Sequence, residues 1–116
     1  MPGQEDKFAL LKAYLDNDMQ QVKEMLTLFL DNIPADLAEL TTFCRKYDFI
    51  NIQKSAHRMK SSVRFFGLNE VSEILEQMER MAGDNATFAD IDAMSSLLHL
   101  KMENELEILR KERTLL

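Results

Sequence analysis

His57 is the residue of this sequence best placed to do chemistry, because of the charges spaced around it. Lys54, Lys60 and Arg64 lie within two helical turns of it, and the stretch 49–69 contains no acid. A phosphoryl group on a ring nitrogen would add about two negative charges, which these cations could stabilise without a deep pocket. The pattern therefore makes His57 a candidate carrier of an anionic group.

The helix that carries His57 is defined by a buried stripe, which runs from Ile52 to Phe66 in steps of three and four. At 3.6 residues per turn, His57 points roughly 140° away from the centre of that stripe. We expect it to be exposed. The same outer face carries Ile50, Gln53, Lys54, Lys60, Ser61 and Arg64, with Phe65 at its margin. Apolar residues beside a reactive centre suggest a surface that docks a partner protein.

Simpler interpretations compete with each candidate. A helical histidine is commonly just solvated, and a run of bases commonly just solvates its face, although the lack of any acid among these bases weakens that interpretation. His99 is expected to be structural or on the surface. Cys44, the only cysteine, is expected in the core. Two histidines in unrelated contexts, without a Glu-x-x-His motif, are too few for a di-iron bundle enzyme, so we expect no metal site.

Two helices are predicted before the one with His57. A short helix, Lys7 to Leu15, should begin at Asp6. A long one should begin at the cap Asp18 and carry an apolar stripe that continues to Tyr47. Pro34 lies inside that stripe without breaking its phase, which predicts one kinked helix or two helices that meet there.

Three more helices are predicted in the rest of the chain. Asp48 is the predicted cap of the helix with His57, and Gly67 its left-handed stop. Asn69 should cap the fourth helix and Gly83 should end it. The last helix should begin near Thr87, with an apolar stripe inward and polar residues opposite, which gives no dimer seam and favours a monomer.

These elements predict an all-α fold: an antiparallel four-helix bundle with a short N-terminal helix that caps one end. With 46% hydrophobic and 29% charged residues, we expect one domain over residues 1–116. The net charge of −6 argues against nucleic acid as the main partner. No apolar run is long enough to insert into a membrane, no signal peptide is evident, and a cytoplasmic location is expected.

A family resemblance rests on one continuous stretch and on a few residues C-terminal to it. Ala56-His57-Arg58-Met59-Lys60-Ser61-Ser62, then Phe66-Gly67 and later Leu75 and Glu79, is similar to the signature of histidine-containing phosphotransfer (HPt) domains. The stretch from Leu26 to Leu40, with Pro34, resembles the long helix that precedes the active site in that family. The resemblance extends over most of the chain.

The resemblance implies roles for single residues. His57 corresponds to the phosphorylated histidine, Lys60 to the lysine that steadies the phosphoryl group, and Gly67 to the end of the active-site helix. The family usually has glycine where this chain has Ser61. A serine there could narrow the range of acceptable partners, or its hydroxyl could bond a phosphoryl oxygen.

The resemblance also implies the partners. The domain would accept a phosphoryl group from a receiver-domain aspartate, in a relay fed by a hybrid histidine kinase, and pass it to another response-regulator receiver. It would be a phosphoryl carrier in two-component signal transduction and not an enzyme, with no cofactor of its own and a divalent cation on the receiver. Ser61 keeps one alternative open, a helical adaptor that binds a receiver or kinase without phosphotransfer.

Overall fold

The computed structural model describes residues 8–116, and the regular structure in that range is entirely helical. The helices are α1 (Ala9–Tyr14), α2 (Met19–Arg45), α3 (Phe49–Phe65), α4 (Asn69–Gly83) and α5 (Phe88–Thr114). The expected all-α fold is confirmed. The predicted start of the first helix at Lys7, with Asp6 as its cap, lies outside the described residues.

The four long helices pack in a ring around one core. Helix α3 contacts α2 and α4, and α5 closes the ring against the same two helices. The buried apolar residues of the described chain form a single cluster. The short connections between consecutive helices favour antiparallel neighbours, and that orientation stays a prediction. Within residues 8–116, no helix combines the length and hydrophobicity that a membrane crossing needs.

Helix α1 is anchored to the bundle by two side chains. Leu11 is fully buried in the core. The ring of Tyr14 meets the ring of Phe65 edge to face, with centroids 5.6 Å apart. Phe65 is the last residue of α3, so α1 lies beside the end of the helix that carries His57.

Helix α2 is continuous through its proline. The Asp18 side chain accepts hydrogen bonds from the backbone of the first turn, which confirms the predicted cap. Pro34 lies inside the helix, and the chain therefore forms one long helix at this point. The predicted stripe is buried as far as Cys44, but its last member, Tyr47, is 38% exposed. Tyr47 lies beyond the end of α2 with a φ of 54°, where helical periodicity no longer applies.

The ends of α3 are as predicted, and the start of α4 differs by one residue. Asp48 accepts a hydrogen bond from the backbone N–H of Asn51 and caps α3. Gly67 has a φ of 77° and ends α3. The prediction that Asn69 caps α4 is wrong, because the cap is Leu68, which supplies no side-chain bond. The Leu68 side chain is buried in the core instead.

The end of α4 is as predicted. Gly83 is the last residue of the helix, and the chain leaves it through Asn85, which is left-handed with a φ of 54°. Asparagine tolerates this conformation better than most residues. Helix α5 begins as predicted, since the Thr87 hydroxyl accepts a hydrogen bond from the backbone N–H of Asp90.

The outer face of α5 is less polar than predicted. Leu97, Leu100 and Ile108 are exposed there, with Leu100 at 58%. Because these apolar side chains lie among the charged ones, the polarity of this face no longer argues against a dimer interface. The monomeric state stays a prediction.

Candidate functional site

His57 lies on the exposed side of α3, as its helical phase predicts. Its side chain is 66% exposed. The ring is nevertheless held, because Nδ1 lies 2.9 Å from Oε1 of Glu79 on α4. The sequence thus predicted the exposure of His57 but not its contact with Glu79.

Glu79 determines which ring nitrogen is available for chemistry. Burial favours its neutral form, but hydrogen bonds and charge from Lys60, together with the bond from His57, outweigh that effect and lower the pKa of the Glu79 carboxyl. The ionised carboxylate can only accept hydrogen bonds, so Nδ1 of His57 must donate. The neutral ring then carries its proton on Nδ1. Nε2 keeps a lone pair and is the nucleophilic nitrogen.

Lys60 is part of the same cluster but does not lie on the open face. Its ammonium donates a hydrogen bond to Oε2 of Glu79 at 3.0 Å, and only 16% of its side chain is exposed. The expectation of an outer-face lysine is wrong, because α4 covers the edge of α3 where Lys60 lies. One carboxylate therefore holds the imidazole and the ammonium together, on its two separate oxygens.

The stretch without acids is not free of acids in space. Arg58 pairs with Glu39 of α2 at 3.0 Å, and Lys60 pairs with Glu79. Both carboxylates come from neighbouring helices, so their closeness to the basic stretch is not evident from the sequence. Lys54 and Arg64 have no ion-pair partner within residues 8–116, so they are the cations left to attract a negatively charged partner.

The predicted docking residues fall into two groups. Most are exposed around His57, with Ile50 at 66%. The exposed members are Ile50, Gln53, Lys54, Ser61 and Arg64. Phe65 is half-buried because Tyr14 packs on it. Gln53 lies against α4, where a Cβ added to Gly83 would come within 3.0 Å of its Nε2.

Two features near the site were missed from the sequence. Glu79 was noted only as part of a motif, although its place one turn after the buried Leu75 indicates the edge of the α3–α4 contact. The second feature is an apolar groove between α2 and α3. It is lined by Met25, Leu28, Phe29, Asn32, Ile33, Asp36, Ser62 and Phe66. Leu28 lies off the buried stripe of α2, and its side chain is 57% exposed in this groove.

The remaining candidates belong to the scaffold. His99 is partly buried, and its Nε2 lies 2.6 Å from Oγ1 of Thr41. Cys44 is buried in the core as expected, and burial raises the pKa of its thiol. Among residues 8–116, no three His, Cys, Asp or Glu side chains cluster in a way that could hold a metal ion.

Comparison with known proteins assigns the chain to a family. The family model of the Hpt domain matches residues 24–112, which include all of α3 and α4. No curated protein and no solved structure matches the chain. The matched range contains His57, Lys60 and Glu79, the three side chains of the hydrogen-bonded cluster. The chain therefore belongs to the Hpt domain family, whose members are phosphocarrier modules in the histidine phosphotransfer of two-component signalling.

Proposed function

We propose that this domain is a phosphorelay intermediate in which His57 carries the phosphoryl group between receiver aspartates. The observation that supports this most directly is the exposed His57 side chain whose Nδ1 is held by Glu79. In-line attack on phosphorus requires an oriented nitrogen that keeps its lone pair. Family membership makes receiver domains the expected partners.

The reaction needs little from this chain beyond the nucleophile. Nε2 forms a bond to the phosphorus of a phospho-aspartate, and the bond between phosphorus and the aspartate oxygen breaks. The divalent cation expected for this chemistry belongs to the receiver. Lys60 would moderate the charge around the phosphohistidine while it stays bound to Glu79. We regard the domain as a carrier whose chemistry is shared with its partner, not as an enzyme.

The docking surface we propose surrounds His57 and continues into the groove beside α3. Ile50 supplies exposed apolar area on one side, and Leu28 supplies it in the groove. Lys54 and Arg64 add positive charge. Ser61 lies one turn from His57 on the same face, where it limits how closely a receiver can approach. We also propose that a hybrid histidine kinase feeds the relay and that the domain acts as a monomer.

The test uses both histidines of the chain. A purified receiver carrying a labelled phosphoryl group is mixed with wild-type protein, His57→Gln or His99→Gln. We expect acid-labile label on the wild type and on His99→Gln, because His99 bonds Thr41 inside the scaffold. We expect none on His57→Gln. Equal labelling of His57→Gln would contradict the proposal.

A second measurement separates the carrier from an adaptor that only binds. Binding of each variant to the unphosphorylated receiver is measured alongside labelling. His57→Gln should bind the receiver nearly as well as wild type does, because the surrounding surface is intact. If His57→Gln also left regulation of the partner intact in cells, the adaptor would be the better description.

A further inference from the structure

The carboxylate of Glu79 is shared, and this has a consequence for the phosphorylated ring. Its Oε1 lies 2.9 Å from Nδ1 of His57, and its Oε2 lies 3.0 Å from Nζ of Lys60. Glu79 and Lys60 are 22% and 16% exposed, whereas the ring is 66% exposed. The fixed part of the cluster is thus the acid and base pair, on which the ring is anchored by one nitrogen.

We propose that Glu79 keeps the Nδ1 proton on the ring after Nε2 has been phosphorylated. The domain then donates its phosphoryl group quickly and retains it only briefly. This inference rests on the proposed function, because it concerns the phosphorylated form of the same histidine. Glu79 would be a positioning residue. It touches the imidazole and not the phosphoryl group.

The proton matters because it decides what leaves when the phosphoryl group is passed on. In the acceptor step the Nε2 lone pair forms the P–N bond, and the electrons of the broken P–O bond leave with the aspartate carboxylate. The ring is then cationic, with Nδ1 still protonated. If that proton is kept, breaking the P–N bond returns the electron pair to Nε2 and releases a neutral imidazole. If it is lost, the leaving group is an imidazolate, which is far poorer.

A carboxylate favours the cationic ring more than a neutral acceptor would. An amide in place of Glu79 could hold the ring in a similar orientation, but it would not add negative charge beside Nδ1. An opposite charge at this distance ordinarily extends the charged form of a group by about one pH unit or more. Lys60 and solvent both weaken the effect, so we expect a shift of about one unit.

The other charged groups do not change charge in the same range. On α3 they are Lys54 and Arg64, with Arg58 bound to Glu39 of α2 on the side away from Glu79. On α4 they are Glu73, Glu76 and Arg80, and the pair that joins α4 to α5, Glu70 and Lys101, lies two turns or more along α4 from Glu79. Carboxylates, ammonium groups and guanidinium groups ordinarily keep their charge between about pH 6 and 9. His99 and the phosphoryl group ordinarily change charge near the lower end of this window, but they are the same in all variants, so a difference in midpoint between variants reports the ring.

The experiment loads the domain without a receiver, using phosphoramidate as a small phosphodonor. Phosphohistidine is then followed by ³¹P NMR between pH 6 and 9, both during spontaneous hydrolysis and after addition of an unphosphorylated receiver. Proteins compared are the wild type, Glu79→Gln and the control Glu39→Gln, whose carboxylate pairs with Arg58 on the opposite side of α3. Circular dichroism checks that each variant is folded.

We expect the donor rate to fall with rising pH at a midpoint about one unit lower in Glu79→Gln than in the wild type. Above that midpoint the variant should be up to about ten times slower, since one unit is tenfold in the protonated fraction. Glu39→Gln should keep the wild-type profile. An unchanged midpoint in Glu79→Gln would overturn the inference.

Lys60→Gln supplies a second test, with the opposite sign. Without the ammonium, nothing offsets the negative charge of Glu79 beside His57, so the pH midpoint of the donor rate should rise. A fall or no change would overturn the inference even if Glu79→Gln failed to fold. Failure of the proposed function would look different: the receiver would neither label His57 nor accept its phosphoryl group, while phosphoramidate would still yield phosphohistidine whose spontaneous hydrolysis can be compared between the variants.

Discussion

The bond between Lys60 and Glu79 should stabilise the fold far more than a surface ion pair does. The prediction is tested with Lys60→Gln, Glu79→Gln and the double variant. Exposed pairs contribute about 0.2–1 kcal/mol, and breaking fully buried ones costs about 3–5 kcal/mol. Side chains that are 16% and 22% exposed lie between these limits. We therefore expect a coupling free energy of about 1–2 kcal/mol.

The chain contains its own control. Lys101 and Glu70 form a pair of the same chemistry at 3.2 Å, but their side chains are 43% and 69% exposed. Solvent screens that pair, so a matched cycle should give about 0.3 kcal/mol. Added salt should reduce this smaller value further and leave the Lys60 coupling largely unchanged.

The assay is urea unfolding, monitored by circular dichroism, of the wild type, the two single variants and the double variant of each pair. The free energy of unfolding comes from the midpoint and the slope, and the cycle removes contributions that each side chain makes alone. The bond from His57 to Glu79 is lost in both proteins that carry Glu79→Gln, so to first order it cancels. A Lys60 coupling no larger than that of the surface pair would refute the reasoning.

Three further predictions use single changes. Ser55→Ala should raise the free energy of unfolding by about 0.5–1 kcal/mol in urea, because the Ser55 hydroxyl is buried without a hydrogen-bond partner within residues 8–116. Ser61→Gly should lower it by about 0.5 kcal/mol and should increase labelling by non-cognate receivers in a phosphotransfer profile. Hydrogen bonds from Asn51 lower the pKa of Asp48, and the pKa of Glu79 is lowered too. These two carboxylates therefore stabilise the fold at pH values above the ordinary carboxylate pKa, and that stabilisation is lost as the pH falls through their lowered pKa values. The urea midpoint should drop below about pH 4, and it should drop less steeply in Glu79→Gln.

The sequence predicted the helices well because their buried stripes repeat without interruption. Across Pro34 the stripe keeps its phase, and α2 is indeed continuous there. The errors occur where the backbone leaves the helix. Tyr47 continues the spacing of α2, but the helix has already ended. At the start of α4, burial of Leu68 takes the place of a capping bond from Asn69, which a cap preference alone does not reveal.

The site was predicted only in part, for a different reason. Exposure of His57 follows from the stripe of its own helix. The burial of Lys60 depends on where α4 lies, and helical phase within α3 contains no information about that. The same is true of the acids that neutralise the basic stretch, since Glu39 and Glu79 come from other helices. Contacts between helices need the packing arrangement, not the periodicity of one segment.

His57 and the residue that holds its ring, Glu79, are separated by only 22 positions in the chain. They lie on consecutive helices, so α3 and α4 together hold both members of this contact. Contacts this local in sequence can form early in folding. Helices α3 and α4 still need α2 and α5 to cover their apolar side, but those helices need only supply a matching surface. The proposed phosphoryl chemistry would therefore be carried by α3 and α4, and the pair could be grafted onto other supporting helices with its histidine intact.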